Sequence, residues 1–274
     1  MSASPIVLYG SLRAGTTMFR LMLDGHPQLN APGESDFMFD YMQPTEQGWT
    51  CNLEEMSEDR VFRMNGWALP RTCDGAEALN QMVGQVVNVG QRPVLIVHRN
   101  LEKVAALLPN AHVIHLKRDP RDVARSSIGM GWAGNVWHGA DHWLETEKSW
   151  RAGVGKLRNA PLQLRFEDLL AQPEDQLRRV CSYLDTDFFG SMLTYANSSS
   201  YAAPDPSLAY QWHRKLTDHE IRLVEARLGA YLPEHGYATS GLTPMKVGAF
   251  AREQLDIQTN WQSSGLRPND MVWR

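Results

Sequence analysis

Four short segments rich in apolar residues, each followed by a helical pattern, organise this chain. They lie at residues 6–9, 94–97, 113–116 and 162–166. Short apolar runs bounded by polar residues are typical of strands buried inside a parallel sheet. Because strands and helices alternate, we expect an α/β fold: a single domain with a central parallel sheet flanked by helices.

Helical periodicity is clearest in the second half of the chain. Pro173 precedes Leu177, Val180 and Cys181, whose spacing predicts a stripe that faces the core. Residues 217–220 form a Thr-Asp-His-Glu capping box, which predicts the start of another helix.

Two regions give weaker patterns. Residues 36–92 mix acidic clusters with Met, Trp and Gly, and we expect short helices and loops there. This region is interpreted equally well as connecting structure or as one wall of an acceptor pocket. We expect the main domain to span residues 1–242. Residues 243–274 would form a tail, with a helix near residues 246–258, that packs on the domain or on a partner.

A glycine-bearing turn follows the first strand. Gly10 and Gly15 are separated by four residues, and Thr16 and Thr17 come next. This spacing is that of a P-loop, where the N–H groups of a helix N-terminus bind phosphate. A P-loop NTPase has Lys after the second glycine, but this chain has Thr16 there and carries Arg13 inside the loop. The turn therefore predicts an anion site of a different kind from an ATPase.

A second basic segment follows the third strand. Arg118 is succeeded by Asp119, which can cap a helix, and by Pro120, which suits the first helical position. Open α/β sheets bind ligands at the carboxyl ends of their strands. Arg13 and Arg118 both follow strands, so we expect them to face one crevice that suits a doubly anionic ligand.

These segments together resemble the sulfotransferase family. The run at residues 13–17, His26-Pro27 and Gly33-Glu34 resembles the family's 5′-phosphosulfate loop, most of all in the branch with tyrosylprotein sulfotransferases and many bacterial members. Arg118 and Ser126 match its 3′-phosphate site. The resemblance covers roughly residues 5–237. It implies that the donor is 3′-phosphoadenosine 5′-phosphosulfate (PAPS), that no metal is needed, and that the domain is P-loop-like.

The resemblance also implies roles for individual residues. Glu34 would be the catalytic base, because it stands 21 residues after Arg13, the register of the catalytic Glu in the tyrosylprotein branch. Arg13 would be the second catalytic residue, and His26 is a lower-ranked rival base. Arg99 stands near the family's donor-contacting Lys, and a solvated charge is an equally good interpretation. The residues assigned to the donor are Arg13, Ala14, Gly15, Thr16, Thr17, Arg118, Ser126, Arg99 and Lys215.

Composition limits the partners. The net charge is −4, so we expect no nucleic-acid partner. The three cysteines are far apart, and no apolar run approaches the roughly 18 residues of a membrane span. The first strand begins soon after Met1, so we expect no signal peptide and a cytoplasmic protein. The expected partner is a small-molecule, sugar or lipid acceptor with a hydroxyl; a homodimer is left open.

Other interpretations remain at this stage. His138 and His142 have an i,i+4 spacing that suits a metal, but no third ligand follows at a useful spacing. A P-loop phosphotransferase using ATP or GTP is disfavoured by the missing Lys. A non-catalytic nucleotide-binding protein is weakly favoured by Ala14 and Phe166, which stand where the family often has Ser and Tyr.

Overall fold

The computed structural model describes residues 4–197, 199–243 and 245–263. Contacts divide these residues into two compact units. The first unit contains the residues up to Ser11, Gly15–Lys117 and Thr146–Asp205. The second unit contains Leu12–Ala14, Arg118–Glu145 and the described residues from Pro206 onward. The predicted boundary at residue 242 stays a prediction.

A five-stranded parallel sheet forms the centre of the first unit. Its strand order is β2-β5-β1-β6-β7. The strands are β1 (Ile6–Tyr9), β2 (Leu29–Asn30), β5 (Arg92–Val97), β6 (His112–Lys117) and β7 (Leu162–Arg165). The central strand β1 pairs in parallel with both β5 and β6, and all four of its residues are buried. The predicted α/β class and parallel sheet are therefore confirmed.

A two-stranded antiparallel sheet lies in the region that we expected to hold only short helices and loops. It consists of β3 (Met42–Thr45) and β4 (Gly48–Cys51), with Thr45 paired to Gly48. That expectation was wrong at this point: two residues connect Thr45 to Gly48, and Gly48 begins β4 with φ +135°, a conformation that favours glycine. Helices and loops occupy the rest of the region.

Helices follow most strands, as the sequence predicts. Their bounds are α1 Thr16–Asp24, α2 Phe37–Asp40, α3 Leu53–Glu58, α4 Arg60–Met64, α5 Gly75–Gln85, α6 Leu101–Leu107, α7 Pro120–Gly129, α8 Val136–Gly139, α9 Asp141–Gly153, α10 Phe166–Ala171, α11 Pro173–Tyr183, α12 Trp212–Lys215, α13 Asp218–Leu228, α14 Tyr231–Glu234 and α15 Ala249–Ser263. The capping box of α13 is present, with Glu220 and Thr217 bonded reciprocally. Within the described residues, no helix combines the length and apolar character that crossing a bilayer requires.

Each unit has its own hydrophobic core. In the first unit, Tyr9, Phe37, Leu95 and other buried side chains pack around the sheet, and Trp150 of α9 joins them. In the second unit, the core gathers side chains of α7, α8, α13 and α14 around Trp143. The two tryptophans of α9 thus belong to different cores.

Part of the C-terminal tail packs on the core of the second unit. Met245, Val247 and Leu255 are half-buried against that core. An added Cβ at Gly134 would lie 2.3 Å from the carbonyl oxygen of Gln258, so the backbone of α15 packs closely against Gly134. Residues 264–274, which belong to the predicted tail, lie outside the described residues.

Candidate active site

The turn between β1 and α1 needs both of its glycines. An added Cβ at Gly10 would meet the Leu116 carbonyl oxygen at 2.6 Å. Gly15 adopts φ +93° and caps α1, and a Cβ there would lie 2.2 Å from the Phe166 ring. Because α1 begins at Thr16, the first N–H groups of the helix lack intrahelical partners and can bind an anion. The turn therefore has the backbone of a phosphate site, and the Phe166 ring packs against it.

Three residues that are predicted to bind the donor lie together in the second unit: Arg13, Arg118 and Ser126. We call them the anion cluster. Arg13 Nε donates to Ser126 Oγ at 2.9 Å, and Arg118 Nη1 donates to the Arg13 carbonyl oxygen at 2.9 Å. Arg13 adopts φ +68°, unusual for a residue with a side chain, and its guanidinium lies 5.8 Å from the Trp132 ring centroid. The sequence did not predict the direct bond between Arg13 and Ser126, which it assigned to different phosphates.

Two further contacts fix Arg118. Its Nη2 donates to the Leu208 carbonyl oxygen at 3.3 Å and lies 3.9 Å from the Asp122 carboxylate. Asp122 in turn accepts the backbone N–H groups of Gln211 and Trp212. Gln211 and Trp212, which are close in sequence to the predicted donor residue Lys215, thus lie against the start of α7.

Beside this cluster, α7 begins with a buried ion network. Asp119 caps the helix by accepting from the Arg121 N–H, and it also holds the Arg121 guanidinium in a two-point ion pair. Arg121 further donates to Glu225 at 2.6 Å and stacks 3.6 Å from the Trp212 ring. Because both carboxylates and the ring enclose it, Arg121 holds the helix start in place rather than facing a ligand.

Lys215, another predicted donor ligand, lies at the end of α12. Its Nζ donates to the Gln211 side chain at 3.0 Å, and the residue is exposed. The remaining donor-loop residues differ in exposure: Ala14 and Thr16 are buried, whereas Thr17 is half-buried. The roles assigned to them stay predictions.

In the first unit, Glu34 lies at the carboxyl end of β5. Its backbone forms an isolated parallel bridge with Ile96, and Ser35 donates its N–H to the Ile96 carbonyl oxygen at 2.8 Å. The Glu34 side chain is 48% exposed. The predicted base is therefore held at a strand end, where α/β sheets bind ligands, and it is accessible to an acceptor.

His98 is buried next to Glu34. Its Nε2 lies 3.9 Å from a carboxylate oxygen of Glu34 and 4.0 Å from one of Asp36. Its Nδ1 lies 2.6 Å from the Gly10 carbonyl oxygen, and its backbone N–H donates to Asp36 at 2.8 Å. We call Glu34, Asp36 and His98 the base cluster. His98 was not selected from the sequence; its place directly after a strand was the available signal.

These three groups shift one another's protonation. The His98 side chain holds the pKa of Glu34 below its usual range, against the opposing effect of burial. Burial raises the pKa of the Asp36 carboxyl. Burial alone would lower the pKa of His98, but Asp36, Glu34 and the Gly10 carbonyl outweigh it and raise that pKa. Glu34 is therefore ionised at neutral pH, as a base must be.

In the first unit, carboxylates hold the Arg99 side chain. Its guanidinium makes a two-point ion pair with Asp40, at 2.8 and 2.6 Å, and lies 3.8 Å from Asp36. These carboxylates, opposed by burial, raise the pKa of Arg99, so the group stays charged. Its predicted contact with the donor stays a prediction and would require the Asp40 pair to rearrange.

The rival base His26 is fully buried among protein partners. Its Nδ1 accepts the Gln28 N–H at 3.1 Å, and its Nε2 lies 2.9 Å from the Asp187 carbonyl oxygen. Both ring nitrogens are thus used within the fold, which supports the lower rank of His26.

The histidines considered for a metal are in ion pairs or ring contacts instead. His138 lies 2.8 Å from carboxylates of both Asp141 and Asp256, and His142 makes an edge contact with Trp132. Across residues 4–197, 199–243 and 245–263, no three His, Cys, Asp or Glu side chains converge in a metal-binding arrangement.

Comparison with known proteins identifies relatives of the chain. A model of the sulfotransferase family matches residues 5–190. A Caenorhabditis briggsae protein named as a protein-tyrosine sulfotransferase is 24% identical over 209 residues, 69% of this chain and 68% of that protein. The sulfotransferase domain from the curacin biosynthetic pathway has a similar fold, with a TM-score of 0.60 and 18% identity over 87% of this chain and 99% of that one. A mouse sulfotransferase complexed with PAP has a TM-score of 0.50 and 14% identity, covering 83% and 85%.

Proposed function

Because the matched family model covers more than half of the chain, this protein belongs to the sulfotransferase family, and we propose that it transfers the sulfonyl group of PAPS to the hydroxyl of a small-molecule, sugar or lipid acceptor. The observation that carries the donor assignment is the anion cluster. Arg13 is bonded to Ser126, 113 positions away, and to Arg118, 105 positions away. Chain segments remote in sequence thus bring two guanidinium groups and a hydroxyl together.

The chemistry of this cluster fits a phosphate. Guanidinium groups offer planar pairs of N–H donors that match phosphate oxygens, and a serine hydroxyl adds another donor. In the structure these donors bond to hydroxyl and carbonyl oxygens, which a phosphate can replace with a gain in charge attraction. We assign Arg118 and Ser126 to the 3′-phosphate of the donor. We assign Arg13 and the turn at residues 14–17 to its 5′-phosphosulfate.

Transfer of a sulfonyl group needs positioning and charge stabilisation more than covalent participation by the protein. Glu34 accepts the proton of the acceptor hydroxyl as its oxygen attacks sulfur. Arg13 and the first N–H groups of α1 stabilise the charge that develops on the departing 5′-phosphate. Bound PAPS supplies the activated sulfonyl group, and the acceptor supplies the nucleophilic oxygen.

The test is transfer of radiolabelled sulfonyl from PAPS to a panel of phenols, sugars and lipid alcohols. We expect one acceptor class to be labelled by the wild type and not by Glu34→Gln. The product that remains after transfer is 3′-phosphoadenosine 5′-phosphate (PAP). If no acceptor is labelled although PAP binds, the protein is a nucleotide-binding protein without transfer activity. If magnesium-dependent phosphorylation from ATP is found instead, the phosphotransferase interpretation replaces this proposal.

A further inference from the structure

His98 combines deep burial with a ring nitrogen that has no hydrogen-bond partner. The side chain is 3% exposed, and Nε2 is buried without a donor or acceptor within bonding distance. An imidazole nitrogen in this situation costs free energy, so its retention needs an explanation. The proposed chemistry uses Glu34 and leaves His98 without a role.

The surroundings of His98 fix the orientation of its ring and the position of one proton. The Gly10 carbonyl can only accept, so Nδ1, at 2.6 Å from it, carries hydrogen. The backbone N–H of His98 donates to Asp36, and its carbonyl oxygen accepts from Thr146 Oγ1 at 2.8 Å. Held at these points, the ring directs Nε2 toward the carboxylates of Glu34 and Asp36.

The neighbouring charges favour a proton on Nε2 as well. A lone pair there would face two carboxylates at about 4 Å, whereas an N–H attracts both. Arg99, at 3.8 Å from Asp36, and Arg60, whose charge acts on Glu34, are the other cations near these carboxylates. The Asp40 carboxylate acts on Asp36 with the opposite sign.

We propose that His98 is a positioning residue for sulfonyl transfer, whose imidazolium orients the Glu34 carboxylate and keeps it ionised beside a highly anionic donor. This inference rests on the proposed function. As the bond from the acceptor oxygen to sulfur forms, the hydroxyl proton goes to Glu34. The bond from sulfur to the bridging oxygen breaks, and its electron pair stays on the 5′-phosphate. His98 keeps both ring protons throughout.

The physical need for such a residue follows from the donor. PAPS brings several negative charges, and like charges raise the pKa of a nearby carboxylate. Without a buried cation, Glu34 would be partly protonated when the donor binds and would lose its function as a base. The Gly10 carbonyl links this cation to the start of the donor loop, because it accepts the other ring proton.

The experiment compares His98→Gln with the wild type, using PAPS and the best acceptor of the panel. We expect kcat to fall at least about tenfold, because the variant loses the buried positive charge that lies 3.9 Å from Glu34. We expect the acid limb of the kcat/KM profile to move upward by about one pH unit, with PAP affinity unchanged within about twofold. His98→Lys should bring the acid limb back toward the wild-type position, because it restores a cation.

His115→Gln is the matched control. His115 is likewise buried, lies on β6 of the same sheet, and is paired with Glu147 instead of Glu34. We expect this variant to lose thermal stability without moving the acid limb. If His98→Gln behaves in the same way as His115→Gln, His98 is merely structural and the inference is wrong.

NMR titration of the His98 ring in the donor-free protein gives a readout that does not depend on turnover or on folding of the His98 variants. We expect the His98 pKa to lie above the ordinary histidine value and to fall in Glu34→Gln. An unchanged His98 pKa in Glu34→Gln would contradict the coupling. Absence of both PAP binding and labelling in the wild type would instead overturn the proposed function, and the reaction role of His98 with it.

Discussion

The base cluster and the anion cluster differ in the charged groups that they bring together. In the base cluster, a buried imidazole lies within about 4 Å of two carboxylates. In the anion cluster, two guanidinium groups bond to a hydroxyl and to carbonyl oxygens, and Arg118 also lies 3.9 Å from the Asp122 carboxylate. The first arrangement shifts the protonation of its members, whereas the second presents guanidinium donors whose neutral oxygen partners a phosphate can replace. In the proposed reaction, proton transfer would therefore depend on groups that already interact within the fold, and donor affinity on groups whose partners a ligand exchanges.

Removing the proposed base gives the largest expected effect. Glu34→Gln keeps the shape of the side chain but cannot accept the acceptor proton. We expect kcat to fall by about 10²- to 10⁴-fold, the usual contribution of general base catalysis. PAP affinity, measured by calorimetry, should stay within about threefold of the wild type, because Glu34 lies outside the anion cluster. Full activity in this variant would show that the base is another group.

Removing an arginine of the anion cluster comes next. Arg118→Ala should weaken PAP binding by about 10- to 100-fold, because it removes charged hydrogen bonds to the 3′-phosphate. The matched control is Arg178→Ala, which removes an exposed arginine of α11 paired with Glu174. Calorimetry should show wild-type affinity for the control. Equal losses in both variants would mean that overall charge, and not the cluster, determines affinity.

The glycine of the donor turn gives an effect on stability. At Gly15 an added methyl group would meet the Phe166 ring and demand an unfavourable positive φ. We expect Gly15→Ala to destabilise the protein by about 1–3 kcal/mol in urea unfolding.

Gly84→Ala is the control for this change. Gly84 lies inside α5, and an added Cβ there meets no atom within 4 Å. We expect a gain of about 0.5–1 kcal/mol from improved helix propensity. A loss at Gly84 as large as at Gly15 would contradict the steric explanation.

The smallest expected effect concerns the tail helix of the second unit. Asp256 of α15 is exposed and pairs with His138 at 2.8 Å. Asp256→Asn removes that charge and should cost about 0.2–1 kcal/mol, as for other exposed ion pairs. Hydrogen exchange in α15 should increase slightly, while PAP affinity stays unchanged. A large loss of PAP affinity would connect the tail to donor binding.

Local patterns predicted the strands of the sheet better than they predicted the side-chain contacts of the residues that follow those strands. Continuous apolar runs identified β1, β5 and β6, because both faces of these strands are buried. The strand β2 was missed, since two residues are too few to show a period. The hairpin of β3 and β4 was missed because its strands are short and largely exposed, so they show no sustained alternation of apolar and polar residues.

The candidate site was predictable where it depends on short motifs. Family resemblance selected Glu34, Arg118 and Ser126, and the structure brings the last two together with Arg13. The pairing of Glu34 with His98 was not predictable, because it depends on the register between two chain segments 64 positions apart. Nor was the Arg13–Ser126 bond, which joins groups that a motif assigns to different parts of the donor.

Calorimetric titration of the wild type with PAP, 5′-AMP and magnesium-ATP tests the central claim most directly. These ligands share the adenosine unit, and of the three PAP alone carries both a 3′- and a 5′-phosphate. We predict that PAP binds at least tenfold more tightly than 5′-AMP and that magnesium-ATP does not match it. Equal binding of PAP and 5′-AMP, or tighter binding of magnesium-ATP, would contradict the assignment of Arg118 and Ser126 to a 3′-phosphate.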